Sequence, residues 1–144
     1  MSTEPPVYSM RRTVEFHETD AAGILHFINV LRYFEIAQTH YLKSVGLVLF
    51  DPDMNVRWPV LNAECNFTSP LRFGDEVEIE LRIKEIRSKT VTFSFVVVRD
   101  PDGAKQQAAT GALLAIYATY DSAEKRIKAL AITPEMAAMF GKPS

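Results

Sequence analysis

The sequence predicts an α+β domain in which one long helix lies on a curved antiparallel sheet. From Phe27 to Val45 the apolar residues follow a helical period, broken only by a narrow polar stripe. From residue 60 to residue 120 the period falls to two, with polar turns between the runs. A single long helix followed by consecutive strands is the pattern of a helix packed on one sheet.

The N-terminal third is predicted to hold a leader, a strand, a loop and the helix. Residues 1–7 are expected to be a loose leader, and Tyr8–Phe16 a strand that keeps Met10, Val14 and Phe16 on one face. The polar residues 17–23 form a loop before the helix. The wide apolar arc of the helix predicts that it is largely enclosed, and Gly46 is placed to end it.

The remaining elements follow from alternation and turn residues. Strands are expected at Val60–Phe67, from Glu76 to Lys84, at Thr90–Val98 and from about Gln106 to Tyr120. Short polar turns at residues 87–89 and 100–103 join the last three strands. Thr133 is expected to cap a short helix that begins at Pro134.

Composition limits the class of protein. The 144 residues are 47% hydrophobic and 24% charged, which excludes disorder as the main state. A net charge of -2 gives no electrostatic footprint for nucleic acid or an anionic membrane. One cysteine, no signal-peptide pattern and no apolar run of about 18 residues predict a soluble cytoplasmic protein. Residues 1–144 are expected to form a single domain.

Common motifs for metals, nucleotides and nucleophilic serines are absent. The three histidines and Cys65 show no metal-ligand spacing, so neither a metal site nor a cofactor is expected. Cys65 lies midway along a predicted strand, where a buried apolar role fits better than catalysis.

The segment from Thr19 to Asn29 is the most informative. It places Asp20 in a small-residue loop just before a helix, whose first amides are unpaired donors. Such amides can polarise a carbonyl, and the carboxylate can attack that carbonyl or activate water. The alternative is that Asp20 only caps the turn or the helix.

Three stretches carry a family resemblance: Asp20–Gly23, Leu31–Glu35 with the preceding Asn29, and Pro70–Val77. Together they resemble the hotdog-fold acyl-CoA thioesterases, specifically the 4-hydroxybenzoyl-CoA thioesterase branch. The resemblance implies a five-stranded antiparallel sheet wrapped around one long central helix. It also implies a homodimer or homotetramer with active sites at the subunit interface, which would cover an exposed sheet edge.

The resemblance also implies roles for particular residues. Asp20 becomes the nucleophile or general base, a backbone amide at or near Phe27 polarises the thioester carbonyl, and Gly23 allows close approach. At positions 26 and 27 the family usually has two aromatic residues, or tyrosine followed by histidine, whereas this chain has His26 and Phe27. His26 therefore either contacts the acyl group or a water, or is a packed or exposed imidazole. Glu35 is a second carboxylate candidate on the helix, or a solvated residue of the polar stripe, and Glu64 could line the interface.

Coenzyme A carries phosphates that need cationic or amide donors. Arg87, Ser88 and Lys89 in one turn and Arg72 in another are the candidates, although a solvated hairpin tip explains Arg87 and Lys89 as well. The predicted reaction is hydrolysis of an acyl- or aroyl-CoA to the acid and free CoA. A hotdog hydroxyacyl dehydratase and a non-catalytic acyl-CoA-binding protein are the alternatives.

Overall fold

The computed structural model describes residues 4–141, which form two antiparallel sheets and two α-helices. The strands are β1 (Tyr8–Thr13), β2 (Phe50–Asp51), β3 (Val56–Arg57), β4 (Val60–Phe67), β5 (Glu76–Ile86), β6 (Thr90–Arg99), β7 (Gln106–Ile116), β8 (Ala118–Asp121) and β9 (Arg126–Ala129). The helices are α1 (Phe27–Ser44) and α2 (Pro134–Met139), and a 3-10 turn spans Phe16–Glu18. The large sheet has the order β1-β5-β6-β7-β4. The predicted helix on a five-stranded sheet is therefore confirmed.

The core lies between α1 and one face of the large sheet. Strict alternation places Val77, Ile79 and Leu81 of β5 inside while the glutamates between them face outward. Phe34 of α1 stacks on Phe95 of β6, with ring centroids 4.5 Å apart. This contact helps to set the distance between α1 and the sheet.

The first strand is shorter than predicted. It ends at Thr13, and Phe16 is 75% exposed in the 3-10 turn instead of sharing a buried face with Val14. The chain turns here because the Glu18 carboxylate accepts a hydrogen bond from the Glu15 amide at 2.9 Å. Of the predicted leader, residues 1–3 lie outside the described residues. Val7, at its end, donates its amide to the Leu81 carbonyl at 2.9 Å.

The last predicted strand is two strands. It breaks at Tyr117, so that β7 belongs to the large sheet and β8 to a small sheet of order β2-β3-β8-β9. The Tyr117 amide donates to the Lys89 carbonyl at 2.8 Å instead of to a strand partner. The small sheet was not predicted, because strands of two to four residues are too short to show a period.

Helix α1 is buried along one side only, so the prediction of an enclosed helix is wrong for the chain alone. Tyr33, Phe34, Tyr41 and Leu42 are fully buried, whereas Ile28 is 56% exposed. Within residues 4–141, no helix combines the length and the apolar character that a membrane crossing needs.

Candidate active site

The loop before α1 is a closed turn built on backbone hydrogen bonds. Asp20 donates its amide to the Ile24 carbonyl at 2.9 Å, and Gly23 donates to the Asp20 carbonyl at 2.9 Å. Gly23 has a φ of +78°, which favours glycine, and an added Cβ would have no atom within 4 Å. Gly23 therefore serves the turn conformation, and no atom of residues 4–141 crowds it.

The Asp20 carboxylate is fixed by this turn at one oxygen. Its Oδ1 accepts hydrogen bonds from the amides of Ala22, at 2.9 Å, and Ile24, at 3.4 Å. Among residues 4–141, no donor reaches Oδ2. One oxygen thus holds the carboxylate in place while the other is available to a reacting group.

The N-terminus of α1, which follows Asp20 by seven residues, offers an unpaired backbone donor. His26 is the residue that caps the helix, and its Nδ1 accepts from the Ile28 amide at 3.2 Å. The next amide, that of Phe27, donates to no acceptor in the described part of the chain. A free amide with the partial positive charge of a helix start can hold a carbonyl oxygen or an anion.

Asp20 and Phe27 line the same cleft, which has a volume of ≈ 470 Å³. Its other walls are apolar or uncharged, so that Asp20 is the one ionisable side chain among its lining residues. They are Ile24, Leu25, Val30, Phe67, Thr68, Ser69, Pro70, Leu71, Ala108 and Ala109. The cleft can therefore receive an uncharged apolar group and hold it beside a carboxylate and a free amide.

Comparison with known proteins gives the family. The sequence profile of the thioesterase-like superfamily matches residues 14–140, nearly the whole chain. The chain belongs to this thioesterase family. A putative esterase of Aquifex aeolicus is 41% identical over 91 residues, which cover 62% of this chain and 71% of that protein. A 1,4-dihydroxy-2-naphthoyl-CoA hydrolase of Prochlorococcus marinus is 32% identical over 95 residues, 60% of this chain and 61% of its own length.

Solved structures confirm the hotdog fold. The 4-hydroxybenzoyl-CoA thioesterase of Pseudomonas sp. strain CBS-3 superposes with a TM-score of 0.80 at 24% identity. The superposition covers 92% of this chain and 97% of that one. This likeness shows the fold. The family match over residues 14–140 makes the chain an enzyme of the thioesterase class, and the resemblance seen in the sequence is confirmed.

The other carboxylate and imidazole candidates lie in different places in the thioesterase. His26 caps α1 and stacks on the ring of Phe27 with centroids 4.7 Å apart, and it is not among the lining residues of the Asp20 cleft. Glu35 is exposed and lines a second cavity of ≈ 420 Å³, which shares no lining residue with the Asp20 cleft. Glu64 is exposed on β4. None of the three is beside Asp20 in the cleft.

The cationic candidates do not form one cluster within a chain. Arg72 precedes β5, close to the cleft wall at Leu71, whereas Arg87, Ser88 and Lys89 follow the other end of β5. Eleven strand residues span roughly 35 Å. Within one chain Arg72 and the residue 87–89 hairpin therefore lie at opposite ends of β5, and a role for either in binding CoA stays a prediction.

Sequence reasoning missed the buried residues beneath the loop. Glu18 is only 3% exposed, although its polar neighbours in sequence suggested a solvated loop. Its carboxylate accepts from the Tyr33 hydroxyl at 2.7 Å and lies 3.4 Å from Arg12 Nη2. The contact with Tyr33 joins residues that are 15 apart in the sequence, so the polar pattern of the loop did not indicate that Glu18 is buried. No group of three or more His, Cys, Asp or Glu residues with metal-binding geometry occurs in residues 4–141.

Proposed function

We propose that this enzyme hydrolyses acyl- or aroyl-CoA thioesters, with Asp20 as the essential carboxylate. The observation that carries the proposal is the shared apolar cleft, which is lined both by Asp20, with one carboxylate oxygen unpaired, and by Phe27, whose backbone amide is unpaired. A thioester carbonyl held on that amide becomes more electrophilic, and the helix start stabilises the oxyanion that forms.

Two routes are open to Asp20 from this position. As a nucleophile, its Oδ2 attacks the carbonyl carbon, CoA leaves as the thiolate, and water then cleaves the resulting anhydride. As a general base, Oδ2 takes a proton from a water molecule that attacks the same carbon. Both routes need the carboxylate to be ionised, and both use the Phe27 amide in the same way.

The apolar cleft is proposed to hold the acyl group. Because its lining residues include no cation, the cleft is not suited to an acyl group that carries a free carboxylate. The relatives named above act on hydroxybenzoyl- and dihydroxynaphthoyl-CoA. We therefore place aromatic acyl groups first among the substrates, ahead of aliphatic chains.

The working enzyme is proposed to be a homodimer or a homotetramer. Strand β4 is an open edge of the large sheet, and it exposes Val60, Leu61 and Phe67, three large apolar side chains. The exposed side of α1 lies beside it across the second cavity. A second copy of the chain would cover both the β4 edge and the exposed side of α1. It would also bring a residue 87–89 hairpin, with Arg87 and Lys89, from another subunit to the CoA phosphates.

The proposed compartment is the cytoplasm, where the thiol of the free Cys65 would remain reduced.

The test is release of free thiol from a panel of CoA thioesters by the wild type and Asp20→Asn. The panel contains benzoyl, hydroxybenzoyl, hydroxynaphthoyl, acetyl, hexanoyl and palmitoyl thioesters. We expect the substitution to lower kcat by roughly 100-fold or more, because it removes the principal catalytic group. Binding of the thioester should change little, since the asparagine has the same shape.

Asp121→Asn is the matched control. Asp121 also accepts two loop amides at one oxygen, from Ala123 at 3.0 Å and Glu124 at 3.1 Å, but it lies in the small sheet. It should keep wild-type activity. Full activity in Asp20→Asn would move the chemistry to another carboxylate. CoA binding without turnover of any thioester by the wild type would indicate a binding protein.

A further inference from the structure

Glu18 is a buried carboxylate that the proposed chemistry does not use. It is 3% exposed, and it does not line the Asp20 cleft. Burial of a carboxylate is costly unless hydrogen bonds and an opposite charge compensate it. Here Oε1 accepts from the Tyr33 hydroxyl at 2.7 Å and from the Glu15 amide at 2.9 Å, and Arg12 Nη2 lies 3.4 Å from Oε2.

The backbone of the same residue closes the loop that carries Asp20. The Glu18 carbonyl accepts from the His26 amide at 2.9 Å and from Asn29 Nδ2 at 2.8 Å. One position further, Thr19 pairs with Leu25 as an isolated β-bridge. Residues 20–24 therefore form a loop whose two ends are joined, Glu18 to His26 by a hydrogen bond and Thr19 to Leu25 by the bridge.

The side chain and the backbone of Glu18 bind to the same helix. Tyr33 lies in the second turn of α1 and Asn29 in the first, so the two contacts fix both the distance and the rotation of the loop relative to the helix. The Arg12 guanidinium completes the cluster, since its Cζ lies 4.8 Å from the centroid of the Tyr33 ring.

We propose that Glu18 is a positioning residue, which sets the Asp20 carboxylate against the Phe27 amide at the start of α1. The inference rests on the proposed function, because it assigns Glu18 to the same reaction. A displacement of about 1 Å at a reacting group can lower a rate by about 100-fold. Positioning of this kind changes kcat and leaves the affinity for CoA unchanged.

Two buried tyrosines of α1 provide a matched test. Tyr33 and Tyr41 are both fully buried and both use their hydroxyls in hydrogen bonds: Tyr33 donates to Glu18, and Tyr41 accepts from the Gly141 amide at 3.0 Å. We expect Tyr33→Phe to lower kcat for the best thioester by roughly 10-fold or more, with KM within about twofold. Tyr41→Phe also removes a buried hydroxyl from α1, and it should leave both values unchanged.

Variants of Glu18 extend the test. Glu18→Ala should lower kcat further than Tyr33→Phe, and Glu18→Gln should recover part of it because the amide oxygen can still accept from Tyr33 and from the Glu15 amide. A kcat close to wild type in both Glu18→Ala and Tyr33→Phe would overturn the proposal. So would equal losses of kcat in Tyr33→Phe and Tyr41→Phe, which indicate a general effect on stability.

Hydrogen exchange separates this proposal from the proposed function. The amides of Ala22 and Ile24, which bind Asp20 Oδ1, should exchange faster in Tyr33→Phe than in Tyr41→Phe. This readout needs no substrate. If the wild type cleaves no thioester, the proposed function fails. The hydrogen exchange of these amides then tests by itself whether Glu18 positions the Asp20 loop. Unchanged exchange at these amides would overturn the positioning role.

Discussion

Gly23 and Gly111 show that two glycines can be required for opposite reasons. Gly23 adopts a left-handed conformation with nothing near the missing side chain, so its backbone angle is what matters. Gly111 of β7 has an ordinary backbone, but a Cβ there would overlap the Glu64 carbonyl oxygen and the Phe34 ring. One glycine shapes the catalytic loop, and the other lets α1 approach the sheet.

Alanine substitutions should separate these two roles. Gly111→Ala is expected to lower the free energy of unfolding by about 1–3 kcal/mol or more, since Phe34 and β4 must move. Gly23→Ala should cost about 1–2 kcal/mol through its positive φ, and should lower kcat by displacing Asp20. Urea unfolding and thiol release measure the two effects. An unaltered stability in Gly111→Ala would contradict the packing argument.

At the scale of elements, β4 differs from the other edge strand of the large sheet. Edge strand β1 carries Arg11 and Arg12, and the Arg11 guanidinium pairs with Asp102 at 2.7 Å and 2.8 Å. Charges of this kind protect an edge from further pairing. Strand β4 has a single charged residue, Glu64, among exposed apolar side chains. The physical difference favours β4 as the edge that a second copy covers.

A bulky charge on β4 should therefore weaken the assembly. Ala63 is exposed on β4 and lines the second cavity beside Gln38, so Ala63→Arg should shift the protein toward monomer. The control is Ser9→Arg, an equally large change at an exposed position of β1. Sedimentation velocity at micromolar concentration measures the oligomeric state of the wild type and of both variants. A monomeric wild type, or dissociation by Ser9→Arg and not by Ala63→Arg, would contradict the proposed use of β4.

The elements that the sequence predicted well are those with long periodic patterns. The alternation of β5 and the apolar arc of α1 extend over 11 and 18 residues, long enough for the period to identify them. The two-residue strands β2 and β3 carry no such signal. The separation of Arg72 from Arg87 could be predicted from the sequence, because the strand predicted between them places the two residues at its opposite ends. Glu18 is buried against Tyr33, 15 residues further along the chain, and the polar sequence around Glu18 does not indicate that contact.

At the scale of the whole molecule, the buried Glu18 links stability to pH. Burial raises the pKa of Glu18, but the hydrogen bonds from the Glu15 amide and the Tyr33 hydroxyl and the charge of Arg12 outweigh it, so the net shift is downward. Between the folded and the unfolded pKa, the unfolded chain binds the proton that the folded chain does not. The stabilisation is therefore present above the ordinary pKa of glutamate and is lost as the pH falls through the lowered folded value.

We expect thermal unfolding of the wild type to show this loss in acid. The melting temperature should fall as the pH is lowered through about 4.5, where an ordinary glutamate is half protonated. In Glu18→Gln the same curve should be flatter, because position 18 no longer titrates. Differential scanning calorimetry from pH 3 to pH 7 gives both curves. Parallel curves of melting temperature against pH for the two proteins would show that Glu18 does not contribute to the loss of stability in acid.

The distance between the two ends of β5 has a genetic consequence. Asp20 lies near one end and the hairpin of Arg87 and Lys89 at the other, so the proposed site takes its carboxylate and its cations from different chains. Two inactive alleles, Asp20→Asn and a charge-reversed hairpin, should then complement each other when expressed together. A mixed assembly contains one site in which both parts are intact, and activity should return although neither variant is active alone. If the site were confined to one chain, co-expression would restore nothing.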